Sequence, residues 1–212
     1  MAKGRELVGR IKSTENTRKI TRTMEMVSTS KMKRAMDRVI AARPYAQALQ
    51  EVIASLYNPE LAEKFPLLRQ PQHTKRAAVI LLTSNRGLAG AFSANLIKEA
   101  RALTKQLEAE GTELELHVVG KKGIGYYKYI GRALASSRND ISDRPTAADA
   151  ASLVDTLMAD YATGALDAVY VIGAQFKSAL ASPPTSTRVL PVARPAKSSS
   201  GAEKDYILAP SA

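Results

Sequence analysis

Cysteine is absent from the 212 residues, histidine occurs twice, and aromatic side chains make up 5 % of the chain. Without cysteine there is no disulfide, no thiol nucleophile and no thiolate metal ligand, a composition that suits a reducing cytosol. His73 and His117 stand far apart in different contexts. That argues against a histidine-based metal site and leaves serine no partner for a Ser/His/Asp arrangement. No apolar run reaches the roughly 18 residues that a membrane-spanning helix needs. The P-loop pattern G-x-x-x-x-G-K-[ST] does not occur. On these grounds no cofactor, metal or small-molecule substrate is expected.

What is abundant is positive charge, and it is unevenly placed. The chain carries a net +11. Between Met1 and Arg43 lie twelve Lys or Arg residues against four acids, so +8 of that charge sits in the first fifth of the sequence. Good helix formers dominate from Arg5 to about Leu56, with Gly4, Gly9 and Pro44 the breakers. At 1.5 Å per residue, one continuous helix there would run about 80 Å, too long to lie on a small globular domain. From Ser28 the apolar and small residues step by four and three: Met32, Ala35, Val39, Ala42, Ala46, Leu49, Ile53 and Leu56. This is a coiled-coil seam with many small knobs. Upstream, Ile11, Thr17, Ile20, Met24 and Val27 form a stripe one residue out of register, so the contact face rotates near residue 28. The upstream half is too polar for a core and suits a polar sleeve or a polyanion.

The rest of the chain reads as a separate body. Three prolines between Asn58 and Lys75 mark a connector, with one or two helical turns over Glu60 to Phe65. The unbroken apolar run Ala77 to Leu82 predicts a strand buried on both faces. Leu96, Ala100, Leu103 and Leu107 predict a helix, with Gly111 ending it in the left-handed conformation. Leu114, Leu116 and Val118 alternate with Glu113, Glu115 and His117 as a second strand. Gly120 to Gly131 holds a short helix, and Ala133 to Ser136 a short strand. Thr146 or Asp149 caps a helix through Leu153, Leu157 and Tyr161 that Gly164 ends. Asp167 to Ile172 is a further strand, and Arg188 to Val192 a last edge strand. Strands separated by helices indicate an α/β fold, a mostly parallel sheet flanked by helices, with a long N-terminal coiled-coil helix. The division is 1–57 shaft helix, 58–75 connector, 76–195 Rossmann-like α/β body and 196–212 linker and stub.

Three features of the body invite an enzymatic reading. Gly87-Leu88-Ala89-Gly90 follows a strand and precedes a helix, where a phosphate can meet helix N-terminal amides. It lacks the third glycine of the dinucleotide fingerprint G-x-G-x-x-G, so a structural turn permitting tight packing is the favoured reading. Gly120, Gly123 and Gly125 have the wrong order for the fingerprint, and Lys121 and Lys122 read as solvated. Asp140 and Asp143 lie in a loop, where acids cap or solvate more often than they catalyse.

Three blocks of the chain carry a resemblance. Ile11 to Thr14, Asn16 to Thr21, Met24 to Ser28, Lys31-Met32 and Arg43-Pro44-Tyr45 resemble the N-terminal helix of the gamma subunit of F-type ATP synthases. Thr83 to Gly90 resembles the same family's segment after its first strand, with Asn85 and Ala89 where the family usually has Asp and often has Cys. Ala165 to Ile172 with Phe176-Lys177-Ser178 and Leu190-Pro191 resembles the family's late strand and the residues after that strand. The blocks fall in the family's order over nearly the whole chain.

The resemblance implies a central rotor stalk. In that family the N-terminal helix pairs with a C-terminal helix and turns inside a ring of alternating alpha and beta subunits. Its rotation couples proton flow through a membrane c-ring to ATP synthesis or hydrolysis at the beta subunits, and the gamma subunit has no active site of its own. The implied partners are the alpha and beta subunits, the epsilon subunit and the c-ring, with no nucleic acid. The implied place is peripheral, on the cytoplasmic face of the bacterial inner membrane, and a family-like helix starting near Met1 leaves no room for a transit peptide. The sleeve contacts expected here are Arg18, Lys19, Arg22, Met24, Lys31, Lys33 and Arg34. Tyr206 is placed with Tyr126, Tyr127 and Tyr129 near the foot that meets the ring and epsilon subunit. Tyr206 to Ser211 resembles the start of the family's C-terminal helix, which the 212 residues do not include; the chain is then a fragment, or a partner supplies that helix. A basic-leucine-zipper DNA binder and a nucleotide-using α/β enzyme are the rival classes. Against the zipper, the seam carries Ala and Ser where a self-sufficient dimer wants Leu, and Pro44 interrupts it.

Overall fold

The computed structural model describes residues 2–56 and 65–192. They fall into two units, a single long helix and an α/β body. Helix α1 runs from Ala2 to Leu56 without a break. Thr14, Thr17, Thr21 and Thr23 each donate their hydroxyl to a carbonyl of the preceding turn, at 2.9–3.0 Å, so these polar side chains are satisfied by the helix itself. Glu6 and Arg10 pair at 2.7 Å across one turn. Pro44 stands inside the helix and cannot donate to the Ile40 carbonyl, yet the helix continues for three more turns. No described helix is long and apolar enough to cross a membrane.

The body is built on strand β1 (Arg76–Leu82). It continues through helix α2 (Phe92–Ala109), β2 (Glu113–Val119), α3 (Lys121–Tyr129) and the short β3 (Ser136–Arg138). Helix α4 (Ala147–Thr163), β4 (Ala168–Ala174) and β5 (Pro184–Leu190) complete it. The sheet order is β3-β2-β1-β4-β5. The first four strands are parallel and β5 pairs antiparallel with β4, which makes the sheet mostly parallel, in agreement with the sequence pattern. β1 lies at the centre because its residues can be buried on either side. Val79 and Leu81 face a core with Leu96, Ala100, Leu107, Leu116, Val118 and Tyr127, contributed by α2, β2 and α3. Ala78 and Ile80 face the other core, with Leu157, Tyr161, Leu166, Val169 and Leu190. Each large aliphatic side chain so buried is worth roughly 1.5–3 kcal/mol.

The local signals act as their chemistry dictates. Thr146 accepts from the Asp149 amide through Oγ1 while the Asp149 carboxylate accepts from the Thr146 amide, so the two residues cap α4 jointly. Gly111 and Gly164 take the left-handed conformation, with φ of 81° and 84°.

Two strand positions differ from the pattern. β3 is Ser136–Arg138 rather than Ala133 to Ser136: the ladder on β2 starts at His117, where the Ser136 hydroxyl meets the imidazole Nδ1 at 2.8 Å. β5 is Pro184–Leu190 rather than Arg188 to Val192. Antiparallel pairing with β4 runs from Ala174↔Pro184 to Val169↔Leu190, and Thr185 to Ser186 supply edge ladder positions without apolar side chains to announce them. The expected turn over Glu60 to Phe65 lies almost wholly outside the described residues.

Candidate partner-binding surface

Helix α1 carries all seven expected sleeve contacts, while Tyr206, placed at the foot, lies outside the described residues. Arg18, Lys19, Arg22, Met24, Lys31, Lys33 and Arg34 are all exposed. At 3.6 residues per turn they do not share one face: Arg18, Arg22 and Lys33 fall within about 60° of one another, while Lys31 and Met24 lie on the far side. The helix therefore presents positive charge around its circumference. Arg34 donates to the Ser30 hydroxyl at 2.9 Å, and Arg38 to the Arg34 carbonyl at 3.1 Å, contacts that hold these side chains along the helix.

The seam downstream is exposed too. Met32, Val39 and Leu49 keep 47 %, 43 % and 46 % of their surface in solvent. An apolar row of that length on a helix is an interaction surface by the physics of burial.

In the body, the loop after β1 follows a different logic from the one its glycines suggest. A cavity of about 260 Å³ lies among Ser84, Arg86, Gly87, Leu88, Ser93 and Lys122. The Ser84 and Ser93 hydroxyls meet each other at 2.9 Å, and Ser84 also donates to the Arg86 carbonyl. Leu88, at φ 59°, is 91 % exposed. Gly90 is needed for its φ of 53° and has open space around it. The tight packing expected at Gly87 and Gly90 occurs instead at Gly120 and Gly123. A Cβ at Gly120 would stand 2.1 Å from the Thr83 carbonyl oxygen, and one at Gly123 2.8 Å from Thr83 Oγ1. The Thr83 hydroxyl bridges the gap, donating to the Val119 carbonyl and accepting from the Gly123 amide at 2.9 Å. The end of β1 is thereby fastened to the start of α3.

Asn85 completes this junction. Its amide nitrogen donates to the Asn139 and Ile141 carbonyls, both at 3.2 Å, and its oxygen accepts from the Lys121 amide at 3.0 Å. Asp140 and Asp143, the loop acids, are both in ion pairs. Arg138 grips Asp140 with two hydrogen bonds of 2.7 and 2.6 Å, which hold that carboxyl down at about 2, and Arg86 stands 3.7 Å from Asp143. The tyrosine cluster divides. Tyr127 is 1 % exposed and belongs to the core, edge-on to Tyr126, so it cannot meet a partner; Tyr129 is 89 % exposed. The apolar periodicity of α3 is too short to have separated them in advance.

The chain thus joins a long exposed basic helix to an α/β body with the sheet order β3-β2-β1-β4-β5, and its exposed seam is a surface fit for a partner. The ATP synthase family model matches residues 3–212. The ATP synthase gamma chain of Gemmatimonas aurantiaca is 62 % identical over 213 residues, covering 100 % of this chain and 73 % of its own. The gamma chain of Leptospira biflexa is 37 % identical over 98 % of this chain and 72 % of its own. Among solved structures, the Tetrahymena thermophila mitochondrial ATP synthase central stalk and c-ring contains a chain matching at TM-score 0.58 and 27 % identity, covering 81 % of this chain and 72 % of that one. The chain belongs to the ATP synthase gamma chain family. It is accordingly a central-stalk component of the ATP synthase assembly, a membrane-associated complex.

Proposed function

We propose that this chain acts as the rotating shaft of an F-type ATP synthase, with α1 seated inside the ring of alpha and beta subunits. The body then meets the epsilon subunit and the c-ring, on the cytoplasmic face of a bacterial inner membrane. The observation that carries this reading is α1 itself: 55 residues in one helix, basic around its circumference and exposed along its length. Arg18, Lys19, Arg22, Lys31, Lys33 and Arg34 face acidic segments of the ring, and Met24 supplies an adaptable apolar contact. Charge attraction across a wet interface suits rotation, because it is weak per pair and tolerant of position. Torque enters through the body and leaves through the helix, and the chain contributes mechanics rather than chemistry. Residues 1–57 form the shaft, 58–75 the connector, 76–195 the coupling body and 196–212 the lead into a second shaft helix.

The deciding experiment mixes the 212-residue protein with cognate alpha, beta and epsilon subunits and reads complex mass and ATPase turnover. A longer form bearing the rest of the length seen in its relatives is assayed beside it. Assembly with supported turnover in at least the longer form upholds the proposal. Failure of both forms to join the ring refutes it. Replacing Arg18, Lys19 and Arg22 together with Gln should weaken assembly and flatten its salt dependence, since those charges lie within screening reach of a close partner.

A further inference from the structure

On the face of the sheet that carries Ala78 and Ile80, polar residues of β1, β2 and β3 fall into one row. Arg76, Glu115, His117 and Ser136 share that face because strand side chains alternate and the register sets Ala78 beside Glu115, Ile80 beside His117 and His117 beside Ser136. Their contacts run in sequence along it. Arg76 Nη2 meets Glu115 Oε1 at 2.6 Å, Glu115 Oε2 stands 3.9 Å from His117 Nε2, and His117 Nδ1 meets the Ser136 hydroxyl at 2.8 Å. Arg76 also lies 3.8 Å from Glu113.

One atom in the row is unpaired. His117 Nε2 is buried without a hydrogen-bond partner, and the nearest carboxylate stands just beyond hydrogen-bond reach. Burial opposes a charge on the ring, and Glu115, the charged group that acts on it, favours one. Arg76 on β1 competes for that carboxylate, while Glu113 on β2 offers Arg76 a second one. Arg138, on the same face of β3, is taken up by Asp140 and by Ser152 of α4, and Asp149 of α4 also acts on it. The His117 side chain keeps 15 % of its surface in solvent and that of Glu115 32 %, so protons reach the row from outside.

We propose that Arg76, Glu115, His117 and Ser136 form a latch on the edge strand β3 that a proton releases. Neutral His117 holds Ser136 through Nδ1 and leaves Glu115 to Arg76. A proton taken from solvent stays on the ring and makes both of its nitrogens donors. The imidazolium and the carboxylate then close the gap between them in a charge-assisted bond, which draws the ring off Ser136 and Glu115 off Arg76. Arg76 passes to Glu113. β3 responds because only three of its residues pair with β2, and His117 with Ser136 is the first of those pairs. Asn139 and Ile141, whose carbonyls hold Asn85, follow β3 directly, so the release reaches the junction between β1 and α3. The latch belongs to the folded body and does not depend on α1 turning inside a ring.

The test follows the whole 212-residue chain by NMR from pH 8 to about 4.5, just above the ordinary glutamate range. It reads the His117 ring nitrogens, the Nε2 proton, and amide exchange across Ser136 to Arg138 corrected for its intrinsic pH dependence. In the acid form the Nε2 proton should appear as a slowly exchanging downfield signal, and the β3 amides should exchange several-fold faster, with the midpoint of the His117 titration. Glu115→Gln removes the carboxylate, and should lower that midpoint and abolish the downfield signal. Arg76→Gln frees the carboxylate and should raise the midpoint. His117→Gln should leave β3 exchange without its pH step, and His73→Gln should leave every reading unchanged. A His117 that stays neutral throughout, a downfield signal that survives Glu115→Gln, or β3 exchange that ignores the His117 midpoint overturns the proposal.

Discussion

Arg69 and Tyr161 hold each other by three different contacts. The Tyr161 hydroxyl donates to the Arg69 carbonyl, Arg69 Nη2 donates back to the Tyr161 carbonyl at 3.1 Å, and the guanidinium lies 4.7 Å from the centre of the ring. The same Nη2 reaches the Leu166 carbonyl at 2.6 Å, and Asp167 accepts from the Lys75 and Arg76 amides. The segment leading into β1 is thus fastened to the α4–β4 junction before the central strand begins.

Loosening that fastening should lower stability by an amount set by what is left unpaired. Tyr161→Phe removes one hydrogen bond and should cost about 1 kcal/mol in urea unfolding. Arg69→Ala keeps the main-chain carbonyl to which Tyr161 donates but removes the guanidinium donor to the Tyr161 and Leu166 carbonyls and the stacking contact, and should cost about 2 kcal/mol. Equal losses in the two variants would mean that the arginine side-chain contacts are together worth no more than the single tyrosine hydrogen bond.

Acid should destabilise the body in two stages. Burial lowers the His117 pKa below its usual value, against the pull of Glu115. The folded state therefore resists protonation, and stability present above about pH 6.5 falls as pH drops below it. Burial pushes the Asp167 carboxyl upward, but the Lys75 and Arg76 amides and Arg69 outweigh it and hold the group low. Its contribution is present above the ordinary aspartate value of about 4 and is lost as pH falls through the lower folded value. Thermal unfolding from pH 8 to 3 should show both declines. His117→Gln should remove the upper one and leave the lower.

Gly120 and Gly123, at the start of α3, should behave oppositely to Gly125. Gly120→Ala meets the Thr83 carbonyl and a φ of 98°, and should cost more than about 3 kcal/mol or prevent folding. Gly123→Ala meets Thr83 and Val118 side chains at 2.8 Å and should cost about 1–3 kcal/mol. Gly125→Ala has nothing within 4 Å and lies within a helix, so it should stabilise by up to about 1 kcal/mol. Melting temperatures of the three variants, in that order, check the assignment.

Asn85→Asp sets a carboxylate against the Asn139 and Ile141 carbonyls. It should cost about 1–3 kcal/mol and speed amide exchange across Asn139 to Asp143, while the Lys121 amide remains bonded. Unchanged exchange there would show that the loop is held by its ion pairs alone.

Much of the fold is legible in the order of residues. The strand-length apolar runs and the helical spacing of Leu96, Ala100, Leu103 and Leu107 encode burial, which is a local property of composition. Thr146 with Asp149, and the glycines at 111 and 164, encode helix ends through short-range hydrogen bonding and φ. The edge strands β3 and β5 fall elsewhere than the pattern suggests because their pairing comes from neighbours distant in sequence. Arg76, Glu115, His117 and Ser136 give no joint signal in the sequence for a related reason: alternating polar residues on one strand read as a solvated face until neighbouring strands bring their own polar groups beside them.

Helix propensity, charge and periodicity act within a few residues, so the amino-acid order alone dictates that a basic helix precedes an α/β body. Folding in three dimensions was needed to set Thr83 against Gly120 and Gly123, to make Asn85 join three segments, and to turn Tyr127 into the core while Tyr129 stays in solvent. Those outcomes depend on contacts between strands and helices far apart in the chain, whose geometry no local pattern carries.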